Sequence, residues 1–418
     1  MSKLVIKGGP GLNGEVRISG SKNAALPIMA ATLLIKGETV LRNVPDIADI
    51  HAMMELLEKI GAKTDFKNNT LRVDATRLKN ASLLDDNVKQ MRASILLLGP
   101  MVARLGEVKL AFPGGCVLGK RPVDVHIFAL ERLKAKITEG DATIAAKADR
   151  LEGNFIVLPE TSVTATENAI MAAVLAKGET QIRLAASEPH VQDLCRFLNK
   201  AGAKIRGIGT HNLTIDGVKS LKPVTYSITS DYIETGTLAI AAVLTKGNVT
   251  LTHCDPDDLD VFWSRLREVG GNFTIEKDKV IIKPYKGKLK AIRQLRTAVY
   301  PGFPTDLQAP FAILLTQANG ESQIFETLFD GRLSYLFELE KMGLKVDILN
   351  PHLARIMGPA HLKGCEIASC DIRAGASMVL AALVADGVTE ISNIKYIDRG
   401  YERLEEKLKS LGADVVRE

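Results

Sequence analysis

Few aromatic side chains, little net charge and no long apolar run characterise this sequence of 418 residues. It has one tryptophan and a formal net charge of +5. Nucleic-acid binders commonly combine a strong excess of cations with aromatic rings for base stacking, so no nucleic acid is expected as a partner. No apolar run reaches the ~18 residues of a membrane span, and the first residues form no apolar signal core. We therefore expect a cytoplasmic protein that binds no membrane.

Cysteine is scarce, and its spacing excludes two common uses. The five cysteines are Cys116, Cys195, Cys254, Cys365 and Cys370. Their number is odd and no two form a Cys-x-x-Cys pair, which argues against a disulfide framework or a zinc site. The seven histidines are scattered without the spacing of metal ligands. We expect neither a metal nor a cofactor, and the oligomeric state stays open.

A six-fold internal repeat is the main feature that the sequence does have. Six alanine- and leucine-rich segments each end in a glycine turn, and these glycines follow one another at 67 to 73 residues: Gly37, Gly106, Gly178, Gly247, Gly320 and Gly387. After each turn comes a run that alternates polar and apolar residues, which predicts a half-buried strand. An amphipathic segment follows and usually stops at a glycine, as expected of a helix C-cap. Each unit is thus predicted to contain a helix, a strand, a second helix and further strands.

Six such units predict an α/β protein with two domains of three units each. A repeat of roughly 70 residues is longer than those of open solenoids, so closed, pseudo-threefold domains are expected. The first helix of each unit is apolar on almost all sides, for example over residues 24–34, 233–244 and 377–384. Helices of this kind are buried.

One insertion breaks the regularity of the repeat. Gly106 and the helix stop at Lys134 are four residues further apart than the equivalent Gly37 and Gly61. The extra residues fall in a glycine-rich loop, in which Cys116 precedes two cations. Nearby cations favour the thiolate form of a cysteine, and a loop of this kind is commonly functional. On the chemistry of the loop alone, a cysteine without consequence is an equally good interpretation.

Three of the first helices begin with a cation, although the helix dipole disfavours cations there. The three are Lys22, Arg92 and Arg373. An anion between the cation and the free backbone N–H groups would account for this position. Helix capping, in contrast, accounts for Thr166, Asp231 and Asp371. We therefore expect an anion site at the three cations.

Further charged residues follow the strands of the repeat, and we expect them to line the same cleft between the domains. The set comprises Lys22, Arg92, Arg121, Arg332, Arg373 and Arg399, with Asp306 and Cys116. Such a cleft suits anionic substrates that carry phosphates and carboxylates. Asp306 would be ionised among these cations and available as a base.

These residues lie in motifs that resemble those of the UDP-N-acetylglucosamine 1-carboxyvinyltransferase family, a group of enolpyruvyl transferases. The motifs are SGSKNAA at 19–25, MRAS at 91–94, PGGC at 113–116, RPVD at 121–124, YPGFPTD at 300–306, DIRA at 371–374 and IDRGYER at 397–403. The resemblance extends over the whole chain. It implies two inside-out α/β domains of three repeats each, with the active site in the cleft between them. One domain would cover residues 22–229 and carry the Cys116 loop, and the other would join residues 1–21 to 230–418.

The resemblance also implies a reaction, the first committed step of peptidoglycan synthesis. The enolpyruvyl group of phosphoenolpyruvate would pass to the 3-hydroxyl of UDP-N-acetylglucosamine, with release of phosphate. The catalytic residues would be Cys116, Asp306, Lys22 and Arg399. Asp306 would take the proton of the sugar hydroxyl, and Cys116 would act as general acid towards C3 of the enol. Cys116 would also be alkylated by fosfomycin.

Substrate-binding roles follow from the same resemblance. Phosphoenolpyruvate would be held by Lys22, Arg121 and Arg399, with Arg332 and Arg373 near its charged groups. The nucleotide sugar would be held by Asn23, Arg92, Arg121, Pro122, Val123, Asp124, Val125, Ser162, Val163, Asp306 and Leu328.

The sequence departs from the family pattern where the nucleotide sugar is expected. Thr164 replaces a glycine, Glu160 adds an anion, and Asp330 and Gly331 precede Arg332 where the family usually has Glu-Asn. Three alternatives therefore stay open: a different nucleotide acceptor, shikimate 3-phosphate as acceptor, or binding of a nucleotide sugar without catalysis. The cysteine loop argues against shikimate 3-phosphate.

Overall fold

The computed structural model describes residues 2–80, 82–84, 88, 91–112, 114 and 122–418. The chain forms two compact units. Among the described residues, one unit comprises residues 20–229, and the other joins residues 2–19 to residues 230–418. Each unit has its own hydrophobic core, as expected of an independently folded domain.

The described residues form six four-stranded sheets, three in each unit, with one shared topology. In every sheet the first two strands are parallel and the remaining pairs are antiparallel. In the unit of residues 20–229, the sheets in spatial order are Thr225–Ser227, Glu38–Arg42, Thr70–Asp74 and Lys63–Lys67; Ser82–Leu83, Glu107–Ala111, Thr143–Lys147 and Lys136–Gly140; and Phe155–Val157, Glu179–Arg183, Asn212–Asp216 and Lys204–Arg206. In the other unit they are Asn13–Arg17, Asn248–Thr252, Lys279–Lys283 and Asn272–Ile275; Gln294–Arg296, Gly320–Phe325, Leu353–Gly358 and Val346–Asn350; and Glu366–Ala368, Val388–Ser392, Leu4–Lys7 and Asp414–Arg417.

In the chain, the second strand of each sheet is preceded by a helix that lies in the core, and in four of the six sheets this helix connects the two parallel strands. The six helices are Lys22–Ala31 with the 3-10 turn Thr32–Leu34, the 3-10 helix Arg92–Leu97 with Leu98–Leu105, Val163–Ala173, Tyr232–Leu244, the 3-10 turn Thr305–Leu307 with Gln308–Thr316, and Ile372–Val384. Every residue of Tyr232–Leu244 and of Gln308–Thr316 is buried. The prediction that the all-apolar first helices are buried is confirmed.

Besides the buried helices, each unit has a second set of helices that are amphipathic. They are Ala48–Lys59, Asp124–Arg132, Pro189–Lys200, the 3-10 turn Pro256–Leu259 with Asp260–Val269, Tyr335–Lys341, and the 3-10 helix Ile394–Arg399 with Leu404–Ser410. Each packs an apolar side on its own unit and exposes polar residues, as the sequence pattern predicts. Within the described ranges, none of the helices combines the length and apolar composition that a bilayer crossing requires.

The turns that end the amphipathic helices need a left-handed backbone. Gly61 and Gly202 take φ of 98° and 106°, which glycine adopts without steric cost. Lys134 takes φ of 72° at the equivalent place in the second of the six repeats, so the assignment of Lys134 as the helix stop is confirmed. The predicted α/β fold with two domains of helix–strand repeats is confirmed as well.

Candidate functional site

Asp306 lies between two arginine side chains in the unit that contains residues 230–418. Arg373 donates from Nε to Oδ2 of Asp306 at 3.0 Å, and its Nη2 lies 2.9 Å from the same oxygen in an ion pair. Arg332 donates from Nη2 to the other carboxylate oxygen, Oδ1. Arg332 and Arg373 are only 4% and 5% exposed, whereas 27% of the Asp306 side chain is exposed. The structure thus brings together three of the predicted substrate-binding residues.

The two guanidinium groups control the ionisation of Asp306. Burial on its own would raise the pKa of this carboxyl. The charges of Arg373 and Arg332, and the hydrogen bonds they donate, outweigh burial and hold the pKa of Asp306 well below its ordinary value of 3.8. Asp306 is therefore ionised at neutral pH, and in this arrangement it is a weak proton acceptor.

The ends of two buried helices position this cluster. Asp306 belongs to the 3-10 turn that leads into Gln308–Thr316, and Arg373 lies in the first turn of Ile372–Val384. Asp371 caps the second helix, since its Oδ1 accepts from the N–H groups of Arg373 and Ala374 at 2.8 and 2.9 Å. The predicted cap is confirmed. The anion expected beside the Arg373 cation is here the chain's own Asp306.

Tyr401 is a member of this cluster that sequence reasoning missed. The Arg373 guanidinium lies 5.3 Å from the centre of the Tyr401 ring, within the range of a cation–π contact. The Tyr401 hydroxyl lies 3.0 Å from Oγ1 of Thr237, on the neighbouring buried helix. Its place in the motif of residues 397–403 was the available signal. Tyr401 is thus a further direct neighbour of the Arg373 guanidinium, in addition to Asp306.

Two further predicted residues of this unit lie outside its strands and α-helices. Leu328 is 39% exposed, and its N–H donates to Oε1 of Glu326 at 2.9 Å. Arg399 is the last residue of the 3-10 helix Ile394–Arg399 and is half-buried. Both side chains remain partly accessible, as a residue that contacts a substrate must be.

Lys22, in the unit of residues 20–229, forms a buried ion pair. Its Nζ lies 2.7 Å from Oδ2 of Asp49, and the two side chains are 10% and 6% exposed. Lys22 is the first residue of its helix, which is capped by Ser21 through the N–H of Ala24 at 3.4 Å. Asp49 offsets the unfavourable position of a cation at this helix end. Sequence reasoning missed Asp49, because an acid in the first turn of Ala48–Lys59 is already explained by the dipole of that helix.

Arg92 and the segment that starts at Pro122 contact each other. Arg92 opens the 3-10 helix Arg92–Leu97 and donates from Nη2 to the carbonyl oxygen of Pro122 at 3.1 Å. Val123 and Val125 are buried, and Asp124 is exposed in the first turn of Asp124–Arg132. Cys116 and Arg121, for which the sequence also predicts roles, lie outside the described residues.

His126 links this segment to the helix that follows Ser162. Asn168 donates from Nδ2 to Nδ1 of His126 at 2.9 Å, so the proton of the imidazole lies on Nε2. Nε2 then donates to Oγ1 of Thr164 at 3.0 Å. Burial, and to a lesser degree the charge of Arg92, lowers the pKa of His126 to about 3. A neutral imidazole therefore orients the Thr164 hydroxyl, at the position where the sequence departs from the family pattern.

The predicted cap at Thr166 is wrong. Ser162 precedes the helix, which starts at Val163. The Thr166 hydroxyl lies inside the helix, where it donates to the carbonyl oxygen of Ser162 at 2.7 Å and accepts from the N–H of Ala186 at 3.0 Å. Asn23, Ser162 and Val163 are half-buried at the starts of their helices.

Comparison with known proteins gives consistent results over the whole chain. Residues 6–408 match the model of the EPSP synthase (3-phosphoshikimate 1-carboxyvinyltransferase) family. A UDP-N-acetylglucosamine 1-carboxyvinyltransferase of Desulfosudis oleivorans is 45% identical over 417 residues, covering 100% of this chain and 99% of the relative. UDP-N-acetylglucosamine 1-carboxyvinyltransferase 2 of Carboxydothermus hydrogenoformans is 45% identical over 418 residues, with 100% and 99% covered.

Solved structures show the same fold. The enolpyruvyl transferase NikO from Streptomyces tendae superposes with a TM-score of 0.89 at 26% identity, covering 100% of this chain and 99% of that protein. An EPSP synthase from Acinetobacter baumannii superposes with a TM-score of 0.78 at 18% identity, with 100% of both chains covered, and supports the fold alone. The chain belongs to the EPSP synthase family of enolpyruvyl transferases, and within it to the UDP-N-acetylglucosamine 1-carboxyvinyltransferases.

Proposed function

We propose that the protein transfers the enolpyruvyl group of phosphoenolpyruvate to the 3-hydroxyl of UDP-N-acetylglucosamine, with release of phosphate, as the first committed step of peptidoglycan synthesis. The observation that carries this proposal is the ionised Asp306 between the buried guanidinium groups of Arg332 and Arg373. This arrangement occurs in a chain that matches relatives of that name over its whole length. Each unit would be one lobe of the enzyme, over residues 22–229 and over residues 1–21 with 230–418.

The proposed chemistry is an addition followed by an elimination. The sugar hydroxyl oxygen attacks C2 of phosphoenolpyruvate while its proton passes to Asp306. The Cys116 thiol gives a proton to C3, so that the C3 methylene becomes a methyl group and C2 becomes the centre of a tetrahedral intermediate. Loss of a proton from C3 and of phosphate from C2 restores the double bond and yields the enolpyruvyl ether. This addition and elimination require no oxidant, reductant or cofactor.

The cations would bind the phosphate and carboxylate of phosphoenolpyruvate. Lys22, Arg121 and Arg399 would hold these groups directly, and Arg332 and Arg373 would lie beside them. Arginine suits this role, because its planar guanidinium donates in pairs to carboxylate and phosphate oxygens. The same positive charges would stabilise the negative charge that moves onto the departing phosphate.

The low pKa of Asp306 sets a condition on the first proton transfer. A carboxylate held by two guanidinium groups is a poor base, because its charge is already compensated. Anionic groups of phosphoenolpyruvate would compete with Asp306 for Arg332 and Arg373. Loss of part of this compensation raises the pKa of Asp306 towards the range of a useful base. We therefore propose that the bound phosphoenolpyruvate activates Asp306.

We propose that the acceptor is held by the residues that the family resemblance implies. Asn23, Arg92, Pro122, Val123, Asp124, Val125, Ser162, Val163 and Leu328 would contact the nucleotide sugar, together with Arg121 and Asp306. Arg92 is already fixed against the Pro122 carbonyl.

We place the reaction in the cytoplasm. Support comes from the thiols of Cys195 and Cys254, which form no disulfide, as in a reducing compartment.

A different nucleotide acceptor is the second candidate, and one observation favours keeping it. Thr164 places a hydroxyl, held by His126, where the family has a glycine without a side chain. A side chain at this position changes the space and the hydrogen bonding next to Ser162 and Val163. The enolpyruvyl chemistry would be the same, and the acceptor would differ.

Phosphate release with a panel of acceptors tests the proposal. The purified protein is incubated with phosphoenolpyruvate and, in turn, UDP-N-acetylglucosamine, other UDP-sugars and shikimate 3-phosphate. We expect the highest kcat/KM with UDP-N-acetylglucosamine. A higher kcat/KM with another UDP-sugar would support the second candidate. Release with shikimate 3-phosphate alone, or binding of a nucleotide sugar without release, would refute both.

A further inference from the structure

Glu326 is a buried carboxylate that no predicted role uses. It follows the strand Gly320–Phe325 directly and has no exposed surface. Its Oε1 accepts from the hydroxyl of Thr297 at 3.1 Å and from the N–H of Leu328 at 2.9 Å. Its Oε2 accepts from the hydroxyl of Thr305 at 2.8 Å. Three donors from three separate segments thus converge on one carboxylate.

Two of these donors lead directly to residues of the proposed reaction. Thr305 precedes Asp306, and both belong to the 3-10 turn Thr305–Leu307. Leu328 is a proposed contact of the acceptor and is exposed on its loop. The remaining donor, Thr297, joins the same loop, because its hydroxyl accepts from the N–H of Thr327 at 2.9 Å. One carboxylate therefore ties the segment of the proposed base to the loop of a proposed acceptor contact.

The backbone of Glu326 is itself held in place. Its N–H donates to the carbonyl oxygen of His352 at 2.8 Å, and its own carbonyl oxygen lies 2.7 Å from Nδ1 of His352. Thr327 adds a hydrogen bond from its hydroxyl to the carbonyl oxygen of Thr297 at 2.8 Å. A side chain on a backbone fixed in this way is a firm point of attachment for Thr305 and Leu328.

We propose that Glu326 is a positioning residue, which sets the location of Asp306 relative to the acceptor by holding Thr305 and Leu328 at once. The inference rests on the proposed function. Displacing a reacting group by about 1 Å can lower a rate by about 10²-fold. Burial of a carboxyl group is unfavourable unless hydrogen bonds satisfy its oxygens, and here the three donors come from Thr297, Thr305 and Leu328.

Replacement by glutamine and by alanine separates positioning from packing. In Glu326→Gln, the amide oxygen can keep both Oε1 bonds, and the Thr305 hydroxyl can turn to accept from the amide nitrogen. In Glu326→Ala all three bonds are lost. Thr305→Val removes only the hydrogen bond from the Thr305 hydroxyl to Glu326, through which Glu326 acts on the neighbouring Asp306. Asp193→Ala is the matched control, because Asp193 is a buried carboxylate in the other unit that accepts from the Tyr226 hydroxyl at 2.6 Å and the Thr229 N–H at 3.1 Å.

The experiment measures kcat, both KM values and thermal stability of these variants with phosphoenolpyruvate and UDP-N-acetylglucosamine. We expect Glu326→Ala to lower kcat about 10²-fold and to raise the KM of the nucleotide sugar several-fold, and Thr305→Val to lower kcat with little change in that KM. Glu326→Gln should stay within about threefold of the wild type, as expected when the geometry is kept. Asp193→Ala should lose stability and retain kcat.

Two outcomes would overturn the inference, and they can be told apart from failure of the proposed function. A folded Glu326→Ala variant with wild-type kcat and KM would show that Glu326 only stabilises its unit. If Glu326→Ala does not fold, a Thr305→Val variant with wild-type kcat carries the same conclusion. A wild-type protein that releases no phosphate would instead refute the proposed function, and the inference with it.

Discussion

Removal of the Asp306 charge should leave two buried cations without their carboxylate. In Asp306→Asn the side chain keeps its shape, and one amide oxygen can still accept from one guanidinium. The amide NH₂ group replaces the other oxygen and faces a second donor. Arg332 and Arg373, which are 4% and 5% exposed, cannot turn to water for compensation. We therefore expect a loss of stability that is confined to the unit of residues 230–418.

The size of this loss follows from burial. Removing one partner of a fully buried ion pair costs about 3–5 kcal/mol. Because 27% of the Asp306 side chain is exposed, water screens part of the interaction, and about 2 kcal/mol is a reasonable value. For a unit of this size, about 2 kcal/mol lowers Tm by about 4–8 °C.

Inorganic phosphate should reverse this loss, because it can replace the missing carboxylate between the two guanidinium groups. A ligand at about 100 times its Kd stabilises a protein by about 2.7 kcal/mol, which is similar to the expected loss. In the wild type, Asp306 competes with phosphate for the same arginines. The rise in Tm with phosphate should therefore be larger in Asp306→Asn than in the wild type, while enolpyruvyl transfer falls by about 10²–10⁴-fold through loss of the base.

Calorimetry with and without phosphate measures both effects. Asp193→Asn serves as control, since it removes the charge of a buried carboxylate that is bonded to a hydroxyl and a backbone N–H. This control should lose stability without recovery in phosphate. An Asp306→Asn variant as stable as the wild type, or with the same response to phosphate, would refute the view that Asp306 compensates Arg332 and Arg373.

Three further predictions concern single groups. Asp49→Asn should raise the KM of phosphoenolpyruvate in steady-state assays more than it lowers kcat, because Lys22 loses the carboxylate at 2.7 Å that holds its Nζ; an unchanged KM would contradict this role. Cys116→Ser should stop the gain of mass on incubation with fosfomycin, and modification of the variant would show that another group reacts. The pKa of Asp306 is lower in the folded state than its unfolded value of 3.8, so the ionised carboxylate stabilises the folded protein above pH 3.8, and this stabilisation is lost as pH falls through the folded pKa. When the free energy of unfolding is measured during acid titration, Asp306→Asn should lack this loss. Parallel curves for the wild type and the variant would contradict the role of Asp306.

Local pattern was enough to predict much of the fold. Residues 233–244 are apolar on all sides, and the helix Tyr232–Leu244 is buried at every position. Five of the six turn glycines, all except Gly247, and Lys134 are found at positive φ, because the repeat places them where a helix must end. Both features depend on the sequence within one unit of the repeat, so no knowledge of distant contacts was needed.

Partners of the charged residues could not be predicted in the same way. Asp49 and Lys22 lie on different helices, and the acid in the first turn of Ala48–Lys59 already has a local explanation in the dipole of that helix. Glu326 follows an ordinary strand, and its three donors come from segments that only the tertiary fold brings together. The wrong cap at Thr166 has a simpler cause, since Ser162, Thr164 and Thr166 are all residues that favour a helix start, and spacing alone does not distinguish them.

Analysis of the product of one reaction tests the central proposal most directly. The protein is incubated with phosphoenolpyruvate and UDP-N-acetylglucosamine, and phosphate and nucleotide sugars are quantified together by a colorimetric assay and mass spectrometry. We predict equal amounts of phosphate and of UDP-N-acetylglucosamine that has gained one enolpyruvyl group. Phosphate without the ether, or no phosphate from a folded protein that saturates with both substrates, would contradict enolpyruvyl transfer to this acceptor.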